Sequence, residues 1–227
     1  LYSIMIKNII FDFDGVLVDS EILVAKAFAK YMQNFGIDID EKEFASFAGK
    51  KTVQVIDILS KKYSIKDQEK FFRDIMEIAS NIYKKELTTV KGAYDFVSNL
   101  KFNMFIGSNS MKERIIDGLQ RVKLDKYFKP EQVYSFDLVD NPKPDPDVYL
   151  KALEDNNLIK TETIIIEDSA VGVMAGVAAN VKVIGLTAGG HWHEKRDEKE
   201  LLEAGAFAVT NDYKKVFKLR LLPSGIV

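Results

Sequence analysis

The stretch Ile9-Ile10-Phe11-Asp12-Phe13-Asp14-Gly15-Val16-Leu17-Val18-Asp19-Ser20 decides how the whole chain is read. It opens as a short apolar run with two β-branched isoleucines, the composition of a strand covered on both faces. Asp12, Asp14 and Asp19 follow directly. A carboxylate in the middle of a buried strand is too costly, so the strand must end as these residues begin. Carboxylates at the C-terminal end of a parallel strand face the crevice where such sheets bind ligands. The same design recurs twice: Ile164-Ile165-Ile166 runs into Glu167-Asp168, and Met104-Phe105-Ile106-Gly107 runs into Ser108-Asn109. Three strand ends of this kind predict one site assembled from three places.

Working outward, strands are predicted over 7–13, 103–107, 132–135, 163–166, 181–186 and 207–209, and helices over 91–100, 111–121, 145–156, 170–179 and 197–204. Apolar strands alternating with helices predict an α/β fold, a doubly wound Rossmann-like parallel sheet covered on both faces. The small residues Gly172, Ala175, Gly176, Ala178 and Ala179 read as close helix-to-sheet packing. From Ser20 to about Lys85 the alternation stops. Helices are predicted there over 21–35, 41–48, 51–63 and 67–86, with Phe28, Tyr31 and Phe35, then Val55, Ile58 and Leu59, then Phe71, Phe72, Ile75, Ile78 and Ile82 at helical spacing. The expected organisation is a core of 1–18 and 89–227, with an all-helical cap of 19–88 inserted after the first strand.

Composition narrows the function. The 227 residues, 47% hydrophobic, suffice for one substantial core plus a smaller lobe. A net charge of -2 and no long basic run argue against duplex nucleic acid as a partner. Cysteine is absent, so disulfides play no part, and a reducing compartment is expected. No apolar run approaches the about 20 residues of a membrane helix, and the apolar stretch in residues 1–8 is too short for a signal peptide. A cytoplasmic protein acting on a small molecule is expected, with a poorly ordered tail after Arg220.

The gathered carboxylates Asp12, Asp14, Glu167 and Asp168 repel one another and call for a cation. Mg²⁺ fits, since it favours carboxylate oxygen, water and substrate phosphate. Lys143, in Asn141-Pro142-Lys143-Pro144-Asp145-Pro146, sits on backbone restricted by proline and could offset charge and grip phosphate. No His or Cys cluster suggests zinc, and no phosphate-binding glycine loop is present.

These residues resemble the motifs of the haloacid dehalogenase superfamily. Asp12-Phe13-Asp14-Gly15 is similar to its first motif, Ser108-Asn109 to its second, Lys143 before Pro144 to its third, and Glu167-Asp168 to its fourth, in the family's order. The resemblance implies a Mg²⁺-dependent phosphomonoester hydrolase acting on a small phosphorylated metabolite, a sugar or sugar-acid phosphate. Asp12 would be the nucleophile that becomes an aspartyl-phosphate, and Asp14 the general acid and then base. Ser108 and Lys143 would hold phosphoryl oxygens. Asp12, Asp168 and the backbone carbonyl of Asp14 would ligate Mg²⁺, with Glu167 as a ligand or just behind the ligands. The helical insertion matches a small cap that closes over the site. Asn109, Ser20, Lys50 and Lys51 would contact substrate, the lysines because 47–52 resembles the specificity stretch of a bacterial 6-phosphogluconate phosphatase. Asp14 separates the chain from dehalogenases and phosphonatases, which lack it. The layout also resembles beta-phosphoglucomutase, so phosphoryl transfer to a sugar phosphate is the alternative. The histidine that favours that reaction is matched here by Val24. A monomer is expected.

Plainer structural readings compete. Asp12 and Asp14 suit a turn. Glu167 and Asp168 could cap the helix that follows, although Ser169 is the better cap, and Ser110 is the better cap for the helix after Ser108. Ser20 could cap the helix at Glu21, and Lys50 and Lys51 could be solvated surface. His191 and His193, around Trp192, read as a loop, with contact at the site rim left open. A non-catalytic binding protein on this scaffold would have lost a nucleophile, an acid or a metal ligand, and none is missing.

Overall fold

The computed structural model describes residues 6–39, 43, 47, 52–194 and 196–219. Six strands form one all-parallel sheet: β1 (Asn8–Phe11), β2 (Asn103–Ser108), β3 (Val133–Ser135), β4 (Thr163–Glu167), β5 (Lys182–Leu186) and β6 (Ala208–Thr210). Their order is β3-β2-β1-β4-β5-β6. The chain builds outward from β1 in one direction, then returns to β1 and builds in the other. The reversal lies between β1 and β4, the crevice in which such sheets hold ligands.

Period-two alternation explains how β1 and β4 serve both faces. Ile9, Phe11, Ile164 and Ile166 enter one core, with Phe96, Ile106, Leu119 and Tyr213; Ile10 and Ile165 enter the other, with Tyr149, Val173 and Val183. Ile9, Ile10 and Phe11 are fully buried, and each contributes roughly 1.5–3 kcal/mol by leaving water. The first core is covered by α4 (Ala93–Asn99), α5 (Lys112–Arg121) and α9 (Tyr213–Val216), the second by α6 (Asp147–Asp155), α7 (Ala170–Ala178) and α8 (Lys199–Glu203). The small residues of α7 do pack closely: a Cβ at Gly176 would overlap Val183.

β1 stops earlier than the 7–13 expected. Asp12 N–H still donates to Ile166 O (2.9 Å), after which the chain folds on itself, with Gly15 N–H to Val18 O (2.8 Å) and Leu17 N–H to Phe13 O (3.0 Å). Gly15 is at φ +76°, and a Cβ there would overlap the Asp168 carboxylate and the His191 ring, so the turn needs glycine at this position.

Among the described residues three helices occupy the interruption: α1 (Glu21–Gln33), α2 (Thr52–Tyr63) and α3 (Gln68–Glu86). They share a core of their own, in which Phe28, Met32, Leu59, Phe71 and Ile75 are buried and Tyr31 stacks on Phe71 at 4.4 Å. Phe35, Ile58 and Phe72 follow the helical spacing yet are exposed, because they sit at the margins of the buried stripe or past the end of α1. The predicted helix over 41–48 lies outside the described residues except for Glu43 and Phe47. The two connections to these helices run side by side: Val18 pairs antiparallel with Thr89, and Asp19 N–H donates to Thr88 O (2.9 Å). Farther along, α3 lies against α5. The Arg114 guanidinium covers the Tyr83 ring at 4.7 Å, and Arg121 Nη1 donates to Lys84 O (3.0 Å).

Candidate active site

The ends of β1, β2 and β4 converge as predicted, and the loop before α6 supplies the cation. Lys143 Nζ donates to Asp12 Oδ1 (2.8 Å), Glu167 Oε1 (2.6 Å) and Gly107 O (2.8 Å), which uses all three of its protons. The lysine is buried, so a solvated loop position is ruled out. Asn109 holds its backbone from both sides, accepting from Lys143 N–H at Oδ1 (2.9 Å) and donating from Nδ2 to Lys143 O (3.2 Å). Glu167 is fully buried. Its Oε1 also accepts from the Tyr149 hydroxyl (2.6 Å), and its Oε2 accepts from Asp168 N–H (3.2 Å) and Ser169 Oγ (3.3 Å). Gly172 leaves room for this carboxylate, which a Cβ would overlap. Ser169 caps α7 as expected, accepting from Gly172 N–H (3.1 Å).

Asp12, Glu167 and Asp168 each place an oxygen within 4.8 Å of the others, and all three are buried. Burial raises the pKa of Asp12 well above the usual carboxylate range, and Glu167 adds to the rise. Burial and Glu167 do the same to Asp168. Burial opposes the Lys143 ammonium, but Asp12 and Glu167 outweigh it and hold its pKa above that of an ordinary lysine. Burial is the larger cause for the two aspartates, and the charge around them adds to it: three carboxylates face one ammonium, and negative charge is in excess. A divalent cation fits that imbalance. The oxygens of Glu167 are already engaged by donors, so the protein ligands that suit a cation are carboxylates of Asp12 and Asp168.

Asp14 lies two residues from Asp12 in different surroundings. Ser20 Oγ donates to its Oδ1 (2.5 Å) and Ser110 Oγ to its Oδ2 (2.5 Å), while Arg114 Nη1 contacts both oxygens at 2.8 Å. Its side chain is not part of the close acidic group. Two capping expectations are corrected here. Ser20 precedes α1 but makes no capping bond, and Ser110 is not the cap of α5, whose N-cap is Met111 without a side-chain bond. Both hydroxyls are drawn instead to the carboxylate. Ser108 is buried at the end of β2, and its Oγ accepts from Ser110 N–H (3.0 Å).

His191 reaches the site. Its Nε2 lies 2.8 Å from Asp168 Oδ2, and burial lowers its pKa to about 4, so the neutral ring donates from Nε2. Lys50 and Lys51 lie outside the described residues. Arg114, Tyr149 and His191 carry no motif that marks them in the sequence. Arg114 stands one turn after Ser110, a spacing that could have tied it to the second strand end.

Among the described residues no helix is long and apolar enough to cross a membrane. Residues 9–186 match the family described as haloacid dehalogenase-like hydrolase. The chain is 32% identical over 208 residues to the phosphorylated carbohydrates phosphatase of Thermotoga maritima, covering 89% of this chain and 93% of the relative. It is 29% identical over 191 residues to the 6-phosphogluconate phosphatase of Escherichia coli, covering 82% and 85%. The crystal structure of a haloacid dehalogenase-like protein of unknown function from Agrobacterium tumefaciens superposes with a TM-score of 0.84 at 28% identity, covering 94% of this chain and 97% of that one.

Proposed function

The chain belongs to the haloacid dehalogenase-like hydrolase family, and from that premise we propose that it is a Mg²⁺-dependent phosphatase of small sugar or sugar-acid phosphates that works through a phospho-aspartate. The observation that carries this proposal is the contrast between two aspartates in one turn: Asp12 sits against Lys143 in a buried acidic group, and Asp14 sits among hydroxyl and guanidinium donors.

An oxygen of Asp12 attacks phosphorus, and the bond to the leaving alcohol breaks as the phospho-aspartate forms. Lys143 Nζ, beside the nucleophile, and Ser108 Oγ, at the end of β2, hold phosphoryl oxygens as charge spreads over them. Asp14 gives a proton to the leaving oxygen in the first step and takes one from water in the second. Its described geometry is that of an acceptor, so donation requires Ser20, Ser110 or Arg114 to release an oxygen. Asp12, Asp168 and the Asp14 carbonyl would hold Mg²⁺, with Glu167 behind them fixing Lys143. A bound Mg²⁺ supplies the positive charge that offsets these carboxylates and the incoming phosphate. Asn109 acts by holding the lysine loop rather than through a free amide.

Residues 19–88 serve as the cap and 1–18 with 89–227 as the catalytic core. Two paired connections and a separate apolar core support that division. Lys50 and Lys51 contribute to substrate choice from the cap. The two phosphatase relatives act on phosphorylated carbohydrates and 6-phosphogluconate by name, which supports the substrate class. The lack of cysteine suits a cytoplasmic enzyme, and we take it to be a monomer.

Phosphate release with Mg²⁺ across sugar phosphates, sugar-acid phosphates, nucleotides and phosphoglycolate tests the proposal, with Asp12→Asn as control. Release from the sugar and sugar-acid group, lost in the variant, is expected. Isomerisation of a hexose phosphate without phosphate release would replace it with phosphoryl transfer.

A further inference from the structure

We infer that His191 is a positioning residue for the metal site, acting through the carboxylate of Asp168; the inference rests on the assignment of Asp168 as a metal ligand. The three buried acids are held in different ways. Asp12 is held by Lys143, and Glu167 by Lys143, Tyr149, Ser169 and a backbone amide. Among the described residues, the side-chain partner of the Asp168 carboxylate is His191, at 2.8 Å from Oδ2. A carboxylate gripped by a donor at one oxygen presents the other in a fixed direction. One without such a donor can rotate away from a cation, and partners of this kind tune metal affinity.

The surroundings are shaped for the ring. A Cβ at Gly15 or at Gly189 would overlap His191 at its Cε1 edge, so that edge of the imidazole depends on glycine at both positions. The loop that carries it is anchored on the N-terminal side of the ring. Thr187 N–H donates to Thr210 O (2.9 Å), and Gly190 N–H donates to Asp19 Oδ1 (2.9 Å). Beyond it, Arg196 stacks on Trp192 at 3.8 Å and binds Glu200 Oε1 (2.6 Å). His191 Nδ1 is buried without a hydrogen-bond partner among the described residues. Leaving a buried ring nitrogen unpaired costs stability, so the residue is not placed there to satisfy the loop's own hydrogen bonding. The loop after β5 thereby becomes part of the metal-binding apparatus.

The test is calorimetric titration of the metal-free full-length protein with Mg²⁺, and separately with Mn²⁺. It compares the wild type, His191→Phe, His191→Gln and Asp168→Asn. The phenylalanine keeps the ring volume and removes the donor; glutamine keeps an N–H within reach. Metal binding roughly 10–100-fold weaker in His191→Phe, with recovery to within a few-fold in His191→Gln, is the expected result. If His191→Phe does not fold, His191→Asn, whose amide is too short to reach Asp168, must show the same loss. Unchanged or tighter binding in the loss-of-contact variant, beside a clear loss in Asp168→Asn, overturns the role of His191 alone. Binding unaffected by Asp168→Asn, or absent from the wild type, overturns the underlying metal assignment.

Discussion

Asp12 and Asp14 stand two residues apart in one turn, and their surroundings are opposite. Around Asp12 the sheet gathers two more carboxylates and a single ammonium, all buried, so charge is in excess. Around Asp14 the chain gathers donors from three places, the Ser20 and Ser110 hydroxyls and the Arg114 guanidinium, so its oxygens are engaged by donors. Placing two titratable groups in contrasting surroundings is how one site obtains two chemical roles from one residue type. The first suits a nucleophile that waits for a cation and a phosphate. The second suits a group that exchanges a proton.

The sharpest way to break this contrast is Asp12→Asn. Loss of turnover by about a millionfold, the scale seen when a nucleophile is removed, is expected in a phosphate-release assay. Activity within tenfold of wild type would remove Asp12 as nucleophile. Asp14→Asn should cost roughly 10²–10⁴-fold with alkyl phosphates. With an aryl phosphate, whose leaving group needs no proton, the loss of the first step should shrink markedly; equal losses on both substrates would deny Asp14 the acid role.

Stability against pH probes the excess charge. Asp12 and Asp168 have raised pKa values when folded, so the metal-free native protein retains protons that the unfolded chain releases above about 3.8. Its stability should therefore fall as pH rises from there through the raised values, and Mg²⁺ should flatten the decline. His191 works in the other direction. With its pKa lowered from 6.5 to about 4, the unfolded chain takes up a proton that the native protein refuses, and stability is lost as pH falls through that window. Urea unfolding at stepped pH, with and without Mg²⁺, reads both limbs. A Mg²⁺-independent alkaline limb would contradict the charge imbalance. The smallest expected effect on turnover is that of Ser20→Ala, which removes one hydrogen bond to a carboxylate, worth about 1.5–3 kcal/mol of stability, with a few-fold change in kcat. An unchanged kcat would reduce Ser20 to a residue at the start of α1.

Much of the site was legible in the sequence. Asp12, Ser108, Glu167 and Asp168 lie at or just past the ends of the apolar runs, because a strand buried on both faces admits a polar side chain only where a partner or the crevice receives it. Lys143 was legible through its prolines, although its three acceptors were not. The helices of 21–86 were legible as helices, but their margins were not: Phe35, Ile58 and Phe72 keep the period and face solvent. Ser20 and Ser110 read as caps in the sequence, but their hydroxyls turn to donate to Asp14, because a bond to a charged acceptor is stronger than a neutral cap.

By itself the sequence determined the parallel sheet, the helical interruption, and the placing of Asp12, Asp14 and Asp168 at strand ends, because strand burial and motif order are local properties of the chain. Tertiary structure alone decided that Arg114 grips Asp14, that Tyr149 completes Glu167, and that His191 reaches Asp168. These partners come from α5, α6 and the loop after β5. Their contacts arise from the sheet order, which brings together segments up to 100 residues apart in the case of Arg114 and Asp14. No local pattern encodes such a contact, since an arginine, a tyrosine or a histidine gains its role from the charge it meets when the sheet is assembled.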